Sequence, residues 1–344
     1  MIWDEKKQWY IGHSLLIAII VSILSIFLVF HVTATKETIE IINRISPFYL
    51  LLGVIFHILG WIVWGVRIKV LSDALGGMLT TRDAVRSVVA SLFGAAITPS
   101  HAGGEPVRAY LIAKKGGVRI GDAGAIVLFE RLLDLLFILL ISPIAIFLLR
   151  NVLSHTGPRV QLFITASAIM LIFIVIIIIH AICRPAWIKN RFSLIYSILR
   201  LFMGGERSKQ LITRISAEVD VFLSSLRRFI RVSRARVFFA WLCTILYWSL
   251  EFMIPCLILM GLGEDPEVLM AFASQVVLMI LVFIPLTPGS SGVAELGFTT
   301  TFSFFVKTSL LGVLVLTWRF ITYYMNIIAG SLMGLNIVFR NEKR

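Results

Sequence analysis

Two interrupted apolar segments carry the polar residues that are best placed to do chemistry. The first reads Thr-Pro-Ser-His-Ala-Gly-Gly-Glu-Pro over residues 98–106, and the second reads Thr-Pro-Gly-Ser-Ser-Gly-Val-Ala-Glu over residues 287–295. Pro and Gly stop a helix at both places, because Pro lacks an N–H donor and Gly costs backbone entropy. Within hydrocarbon, unwound backbone is tolerated only where it is buried in protein or lines a wet cavity. The pattern therefore predicts two re-entrant hairpins of half-helices, over residues 84–113 and 268–306.

The first hairpin contains groups suited to binding an anion. Gly103 and Gly104 precede Glu105, and a half-helix that begins there leaves free N–H groups pointing into the site. Arg108 follows one turn later. His101 is a candidate head-group contact or gate, although a lone histidine is more often structural. We include these residues in a substrate-binding site with no catalytic and no metal-binding member.

The second hairpin offers the same chemistry. Ser290 and Ser291 are expected to cap the half-helix that carries Glu295, because serine oxygens accept the free N–H groups of a helix start. Two positive helix ends that face a midplane cavity favour a phosphate group. A carboxylate or an inorganic anion fits the same helix ends, so this part of the pattern leaves the chemical class of the ligand open.

An arginine follows each hairpin within a long apolar segment. Arg131 follows Glu105 by 26 positions, and Arg319 follows Glu295 by 24 positions. Arginine matches phosphate with a bidentate fork, so both residues join the predicted substrate site. The repeated order of hairpin, Glu and Arg predicts an inverted repeat with a binding site at the membrane midplane. The alternative is a chance recurrence of Thr-Pro-x-x-x-Gly in ordinary kinked helices.

Three further carboxylates, at Glu130, Asp134 and Glu251, lie inside apolar segments. A charge at this depth costs at least ~2.5 kcal/mol, so such groups pair with one another or face a cavity. In one interpretation Glu130 and Asp134, together with Glu105 and Glu295, neutralise Arg131 and Arg319 and hold the repeats together. In the other, one of these carboxylates carries a proton during transport, and Glu130, Asp134 and Glu251 are the candidates for coupling or ion pairing.

The composition defines the class of protein around these residues. Of 344 residues, 58% are apolar and 15% are charged, against roughly 25% charged in a soluble domain. Such hydrophobicity excludes disorder, and three cysteines exclude a disulfide scaffold. The formal charge of +13 does not indicate nucleic-acid binding, because the chain offers no soluble basic face. Repeated apolar runs of about 20 residues predict an all-α polytopic membrane protein.

The apolar runs and basic loops predict a topology. Residues 184–236 contain twelve Lys and Arg, and residues 67–86, 114–119 and the C-terminal tail are also basic. This pattern predicts the inner cell membrane, with these segments and both termini on the cytoplasmic side. Its apolar stripe predicts amphipathic helices lying on the membrane. We expect one membrane domain over residues 1–344, with a first repeat at 48–149 and a second at 237–338. About six full spans accompany the two hairpins, at residues 14–30, 48–66, 123–149, 161–183, 237–260 and 310–338.

Three motifs together resemble one known family. They are Pro99–Arg108, the Glu-Arg-x-x-Asp stretch of Glu130–Asp134, and Pro285–Glu295. The chain resembles, over residues 10–338, the lysylphosphatidylglycerol synthase transmembrane-region family, also called the flippase-like membrane domain. That resemblance implies translocation of a lipid between leaflets. The best-understood relatives append a soluble aminoacyl transferase domain, and the present chain ends at Arg344 without one, so aminoacylation is not expected.

Three functions are compared on these grounds. The first is a flippase or scramblase that moves an anionic, phosphate-bearing lipid through a midplane site, driven by an ion or a lipid gradient because no Walker-type motif is present. The second is a membrane-embedded transferase acting on a lipid-linked substrate, and the third is a secondary transporter of a small anion. We expect membrane lipids as partners, no cofactor, no nucleic acid, and a possible homo-oligomer.

Overall fold

The described part of the chain is built from apolar helices. The computed structural model describes residues 45–96, 98, 103–150, 220–229, 234–282 and 290–342, with scattered positions in 20–38, 162–180 and 217–218. Helix follows helix wherever regular structure is described. In chain order they are α1 (Pro47–Ala74), α2 (Thr81–Ala96), α3 (Gly104–Gly116), α4 (Ile120–Leu148), α5 (Arg234–Gly261), α6 (Val268–Val282), α7 (Val293–Phe302), α8 (Thr308–Arg319) and α9 (Met325–Glu342), with a π-helical turn, Phe320–Tyr324, joining the last two.

Four helical stretches of the described residues are long and apolar enough to cross a membrane. They are α1, α4, α5 and the continuous stretch Thr308–Gly334, which runs from α8 into α9. The fold class of an all-helical membrane protein is therefore confirmed. Most of the predicted spans at 14–30 and 161–183, and most of the predicted amphipathic segment 184–236, lie outside the described residues. The number of six spans remains a prediction.

The two interrupted segments form pairs of short helices. Helices α2 and α3 contain 16 and 13 residues, and helices α6 and α7 contain 15 and 10 residues. At a rise of about 1.5 Å per residue, these helices are roughly 15 to 24 Å long, and each is shorter than a hydrocarbon core of about 30 Å. Residues 97, 99–102 and 283–289, which separate the two helices of each pair in the sequence, lie outside the described residues.

Helices α1 and α5 form the most extensive helix pair and run antiparallel. Gly53 on α1 faces Ile254 near the end of α5, while Arg67 near the end of α1 reaches Thr244 in the first half of α5. Around this pair, α2 packs on α1, α3 and α9, and α6 packs on α4, α5 and α7. The central pair therefore positions both short-helix hairpins.

Close backbone approach fixes where α9 contacts the first hairpin. A Cβ atom added to Gly330 would lie 2.6 Å from the backbone nitrogen of Phe93 and 2.9 Å from the carbonyl oxygen of Val89. A larger residue has no room there, because both neighbours are backbone atoms. The absence of a side chain at position 330 thus lets the last helix lie directly against α2.

Candidate functional site

Each hairpin carries a glutamate that pairs with the arginine predicted from the sequence. Arg131 on α4 donates from Nε to Oε1 of Glu105 at 2.7 Å. Arg319 on α8 donates from Nε to Oε1 of Glu295 at 2.9 Å. Both glutamates lie in the first turn of the second helix of their hairpin. The sequence pattern thus brings together the same two groups, through the same atoms, in both halves.

The two pairs differ sharply in exposure. The side chains of Arg131 and Glu105 are 29% and 38% exposed, whereas those of Arg319 and Glu295 are 5% and 0% exposed. An exposed pair is open to a ligand, while a sealed pair interacts only with its protein neighbours. The first pair is therefore accessible from outside the protein, and the second is packed in its interior.

The start of α7 corrects one expectation from the sequence. Gly292 occupies the N-cap position with φ of 87°, and no side chain caps it. Instead, Glu295 accepts a hydrogen bond from the Gly292 N–H through Oε2, at 2.6 Å. The predicted capping by Ser290 or Ser291 is therefore wrong, because Gly292 occupies the N-cap position and both serines precede it. Both serines are buried in that turn.

The start of α3 is tightly packed. Gly103 is the N-cap residue, and its N–H donates to Oγ1 of Thr98 at 2.7 Å. A Cβ at Gly104 would lie 2.8 Å from the carbonyl oxygen of Ser91 on α2, so the two helices of the hairpin touch through backbone. These glycines serve close approach. His101 lies outside the described residues, and its role stays a prediction.

A buried charged cluster lies beside the first pair, and Arg67 is its centre. Arg67 is fully buried and donates from Nη1 to Asp134 at 2.6 Å and to Thr244 at 3.0 Å, and from Nη2 to Glu130 at 3.1 Å. Trp248 donates a further hydrogen bond to Asp134 at 3.0 Å. The cluster joins α1, α4 and α5. Glu130 and Asp134 therefore bind Arg67, and not the Arg131 and Arg319 that sequence spacing suggested.

Arg108 extends this cluster towards the first hairpin. Its Nη2 atom lies 3.3 Å from Oε1 of Glu130, and its guanidinium carbon lies 4.9 Å from the ring centre of Trp64. Trp64 in turn donates to the same Glu130 oxygen at 2.6 Å. The side chain of Arg108 is almost completely buried. Arg108 thus supports the cluster from within, and Arg131 is the more exposed of these two arginines.

A second polar group, which sequence reasoning missed in part, lies between α1, α5 and α9. His57 contacts Glu251 through Nδ1 at 2.9 Å and Asn326 through Nε2 at 3.0 Å. Trp61 donates to the same Asn326 oxygen at 3.1 Å. His57 is buried, and Glu251 is 12% exposed at its side chain. The sequence identified Glu251 from its depth but did not identify its partners.

Aromatic rings occupy the corresponding place in the second half. Phe298 stands three residues after Glu295, as Arg108 stands three residues after Glu105. The ring of Phe298 stacks on Trp318 with centroids 4.5 Å apart and on Phe302 at 4.0 Å. The residue three positions after the glutamate therefore joins a charged cluster at Arg108 and an aromatic stack at Phe298.

The described residues contain no set of metal ligands. No group of three His, Cys, Asp or Glu side chains there is arranged to hold a metal ion. The first pair and the buried cluster beside it together contain three arginines and three carboxylates, which are Arg67, Arg108, Arg131, Glu105, Glu130 and Asp134. Equal numbers of opposite charges make such a group tolerable inside a membrane.

Helices of membrane-spanning length, joined by ion pairs in their interior, define a polytopic membrane protein. The chain belongs to the family described as the lysylphosphatidylglycerol synthase TM region, which matches residues 15–330. It is 33% identical over 318 residues to a UPF0104 membrane protein of Archaeoglobus fulgidus, covering 92% of this chain and 95% of that one. A UPF0104 membrane protein of Methanocaldococcus jannaschii is 23% identical over 333 residues, covering 95% and 96%. The resemblance seen in the three motifs is thereby confirmed.

Proposed function

We propose that this protein moves an anionic, phosphate-bearing lipid between leaflets, and that the lipid phosphate contacts Arg131. The partly exposed Arg131–Glu105 pair carries the proposal, because it is an open charged group, and exposed apolar side chains on α3 include Val107 and Tyr110. The Nε–H of Arg131 is used by Glu105, and a guanidinium carries four further N–H donors. Those donors suit phosphate oxygens.

We further propose that the two halves form an inverted repeat. In the first half, α1 contacts α2 and α4, and α3 contacts α2 and α4. In the second half, α5 contacts α6 and α8, and α7 contacts α6 and α8. The same four contacts therefore occur in both halves. The antiparallel course of α1 and α5 is the relation that inversion requires. In such transporters the site lies where the short helices of both halves meet. In this proposal both termini lie on the cytoplasmic side, and the protein is a transporter rather than an enzyme.

Replacing Arg131 by Gln tests the proposed lipid contact. A hydrogen bond from a charged group contributes about 1.5–3 kcal/mol. If the lipid makes this contact only while crossing, we expect transport to slow by roughly 10-fold to 100-fold. The measurement is leaflet-to-leaflet movement of labelled phosphatidylglycerol in liposomes that contain the purified protein. Because Arg131 is partly exposed, the variant is expected to fold.

Arg82→Gln is the matched control, because Arg82 is an exposed arginine at the start of α2. It should transport lipid like the unaltered protein. Equal transport rates for Arg131→Gln and Arg82→Gln would exclude a contact between the lipid phosphate and Arg131. Uptake of a soluble anion into vesicles, without lipid movement, would favour the small-anion transporter instead.

The His57–Glu251 pair is the proposed coupling site. Glu130 and Asp134 are paired with the fully buried Arg67, so protonation of either carboxylate would break its ion pair with Arg67. Glu251 instead faces His57, and each group can take up a proton. Tyr247 lies beside Gly60 next to this pair, and Asn326 completes the ring of polar neighbours. A proton that enters here changes the contact between α1, α5 and α9.

Glu251→Gln tests the coupling. One proton moving down a gradient of one pH unit supplies about 1.4 kcal/mol, which allows at most a tenfold change in lipid distribution. We expect lipid movement by the unaltered protein to respond to an imposed pH gradient, and movement by Glu251→Gln to be insensitive to it. Trp61→Phe is the control, since it removes one hydrogen bond but no titratable group. A response of equal size in Glu251→Gln would exclude this residue as the proton carrier.

A further inference from the structure

A lateral cavity lies on the side of α4 that faces away from Arg131. It encloses about 530 Å³ between α4 and the start of α5. Its wall on α4 consists of Phe129, Leu133, Leu136 and Leu140, and its wall on α5 includes Val237, Phe238 and Trp241. Because successive helical residues are about 100° apart, Arg131 points roughly 190° away from this wall. The cavity is therefore separate from the proposed transport site.

The length of the cavity corresponds to one leaflet. Phe129 and Leu140 are eleven residues apart on α4, which is about 16 Å along the helix axis. Half of a hydrocarbon core of about 30 Å is about 15 Å. Leu136 and Leu140 are 45% and 57% exposed, so the cavity opens sideways to the lipid. Its shape and lining suit one acyl chain lying along α4.

A positive group lies at one end of this cavity. Arg234 is both a lining residue and the first residue of α5. Helices α4 and α5 run in the same direction, because Phe129 stacks on Phe229, shortly before α5, while Asp134 binds Trp248 further along both helices. Arg234 therefore lies at the Phe129 end. The cavity runs from a cation at that end to apolar side chains at the other.

The first turn of α5 is short of negative charge. It contains Arg234 and Arg236 and no acidic residue. A cation at a helix N-terminus is unfavourable, because the helix dipole already places positive charge there. Arg236 uses Nη1 to bind the carbonyl oxygen of Asp73 at 2.6 Å. None of the ion pairs between described residues involves Arg234. An anion beside Arg234 would satisfy both the arginine and the helix start.

We infer that the cavity between α4 and α5 binds an anionic phospholipid, with one acyl chain along Phe129–Leu140 and its phosphate at Arg234. The lipid belongs to the leaflet at whose surface α5 begins. This inference does not depend on the proposed transport function, because it requires equilibrium binding and no movement between leaflets.

Quenching of Trp241 fluorescence tests the inference directly, because this ring lines the cavity. Purified protein is titrated with phosphatidylglycerol or phosphatidylcholine carrying bromine on the acyl chain. The signal lost in Trp241→Phe isolates the contribution of this position. We expect phosphatidylglycerol to bind about fivefold more tightly than phosphatidylcholine, and Arg234→Gln to abolish the preference, since a basic residue near the membrane surface contributes about 1 kcal/mol to binding an anionic lipid. Arg82→Gln, at another exposed arginine, should retain it.

A second pair of variants tests the path of the acyl chain. Leu136→Phe narrows the cavity and should weaken binding of both lipids, whereas Ile144→Phe, on an exposed part of α4 outside the cavity, should not. Equal affinity for the two lipids in the unaltered protein would overturn the inference, as would quenching that does not differ between the unaltered protein and Trp241→Phe. Lipid transport by Arg131→Gln does not enter any of these readouts.

Discussion

Replacing Arg67 by Met is expected to remove about 3–5 kcal/mol of folding free energy, the cost of breaking a buried ion pair by deleting one partner. The variant leaves Glu130 and Asp134 buried without the guanidinium that binds both. It also removes the hydrogen bond to Thr244, so α1 loses its polar link to α4 and α5 together. The measurement is thermal or denaturant unfolding of the purified protein in detergent micelles.

Lys69→Met is the matched control on the same helix. Lys69 pairs with Asp73 one turn away, and both side chains are about one third exposed. Such a helical pair contributes at most about 0.5 kcal/mol, so this variant should unfold almost like the unaltered protein. Adding Asp134→Asn to Arg67→Met should recover part of the loss, because it removes one of the stranded charges. A loss in Arg67→Met no larger than in Lys69→Met would show that the cluster does not stabilise the fold.

Arg67 also shows where sequence reasoning stops. It stands one residue beyond the apolar run 48–66, and a long basic side chain at such a boundary ordinarily extends to the membrane surface. Its carboxylate partners lie 63 and 67 positions away, and no spacing rule connects residues at that distance. Only the packing of α1 against α4 and α5 turns this arginine inward.

Local patterns, in contrast, offered the pairings in the hairpins as one of two interpretations. The order of Gly, Glu and a later Arg recurs in both halves, and the structure joins Glu105 to Arg131 and Glu295 to Arg319. The cap of α7 was predicted wrongly, because Gly292, with a positive φ, occupies the N-cap position in place of Ser290 or Ser291. Backbone conformation of this kind is not contained in residue type alone.

The exposure of the two Glu–Arg pairs predicts different consequences for the same substitution. Glu295→Gln should cost about 3 kcal/mol of folding free energy, because Arg319 is then left almost completely buried without a counter-charge. Glu105→Gln should cost less than about 1 kcal/mol, because both side chains of that pair are about one third exposed. Both values come from unfolding measurements on purified protein.

Removing both members of the sealed pair separates a structural role from a transport role. Glu295→Gln combined with Arg319→Leu should regain stability relative to Glu295→Gln alone, since no charge is left buried. Lipid movement should recover with it, because in this interpretation the second hairpin provides a rigid support. Glu105→Gln should instead fold normally and change the rate of lipid movement, because Glu105 competes with the lipid phosphate for Arg131. The opposite result would be a stable Glu295→Gln, Arg319→Leu variant that does not move lipid, together with normal transport by Glu105→Gln. That result would place the lipid contact at Arg319 and Glu295 and would reverse the roles assigned to the two hairpins.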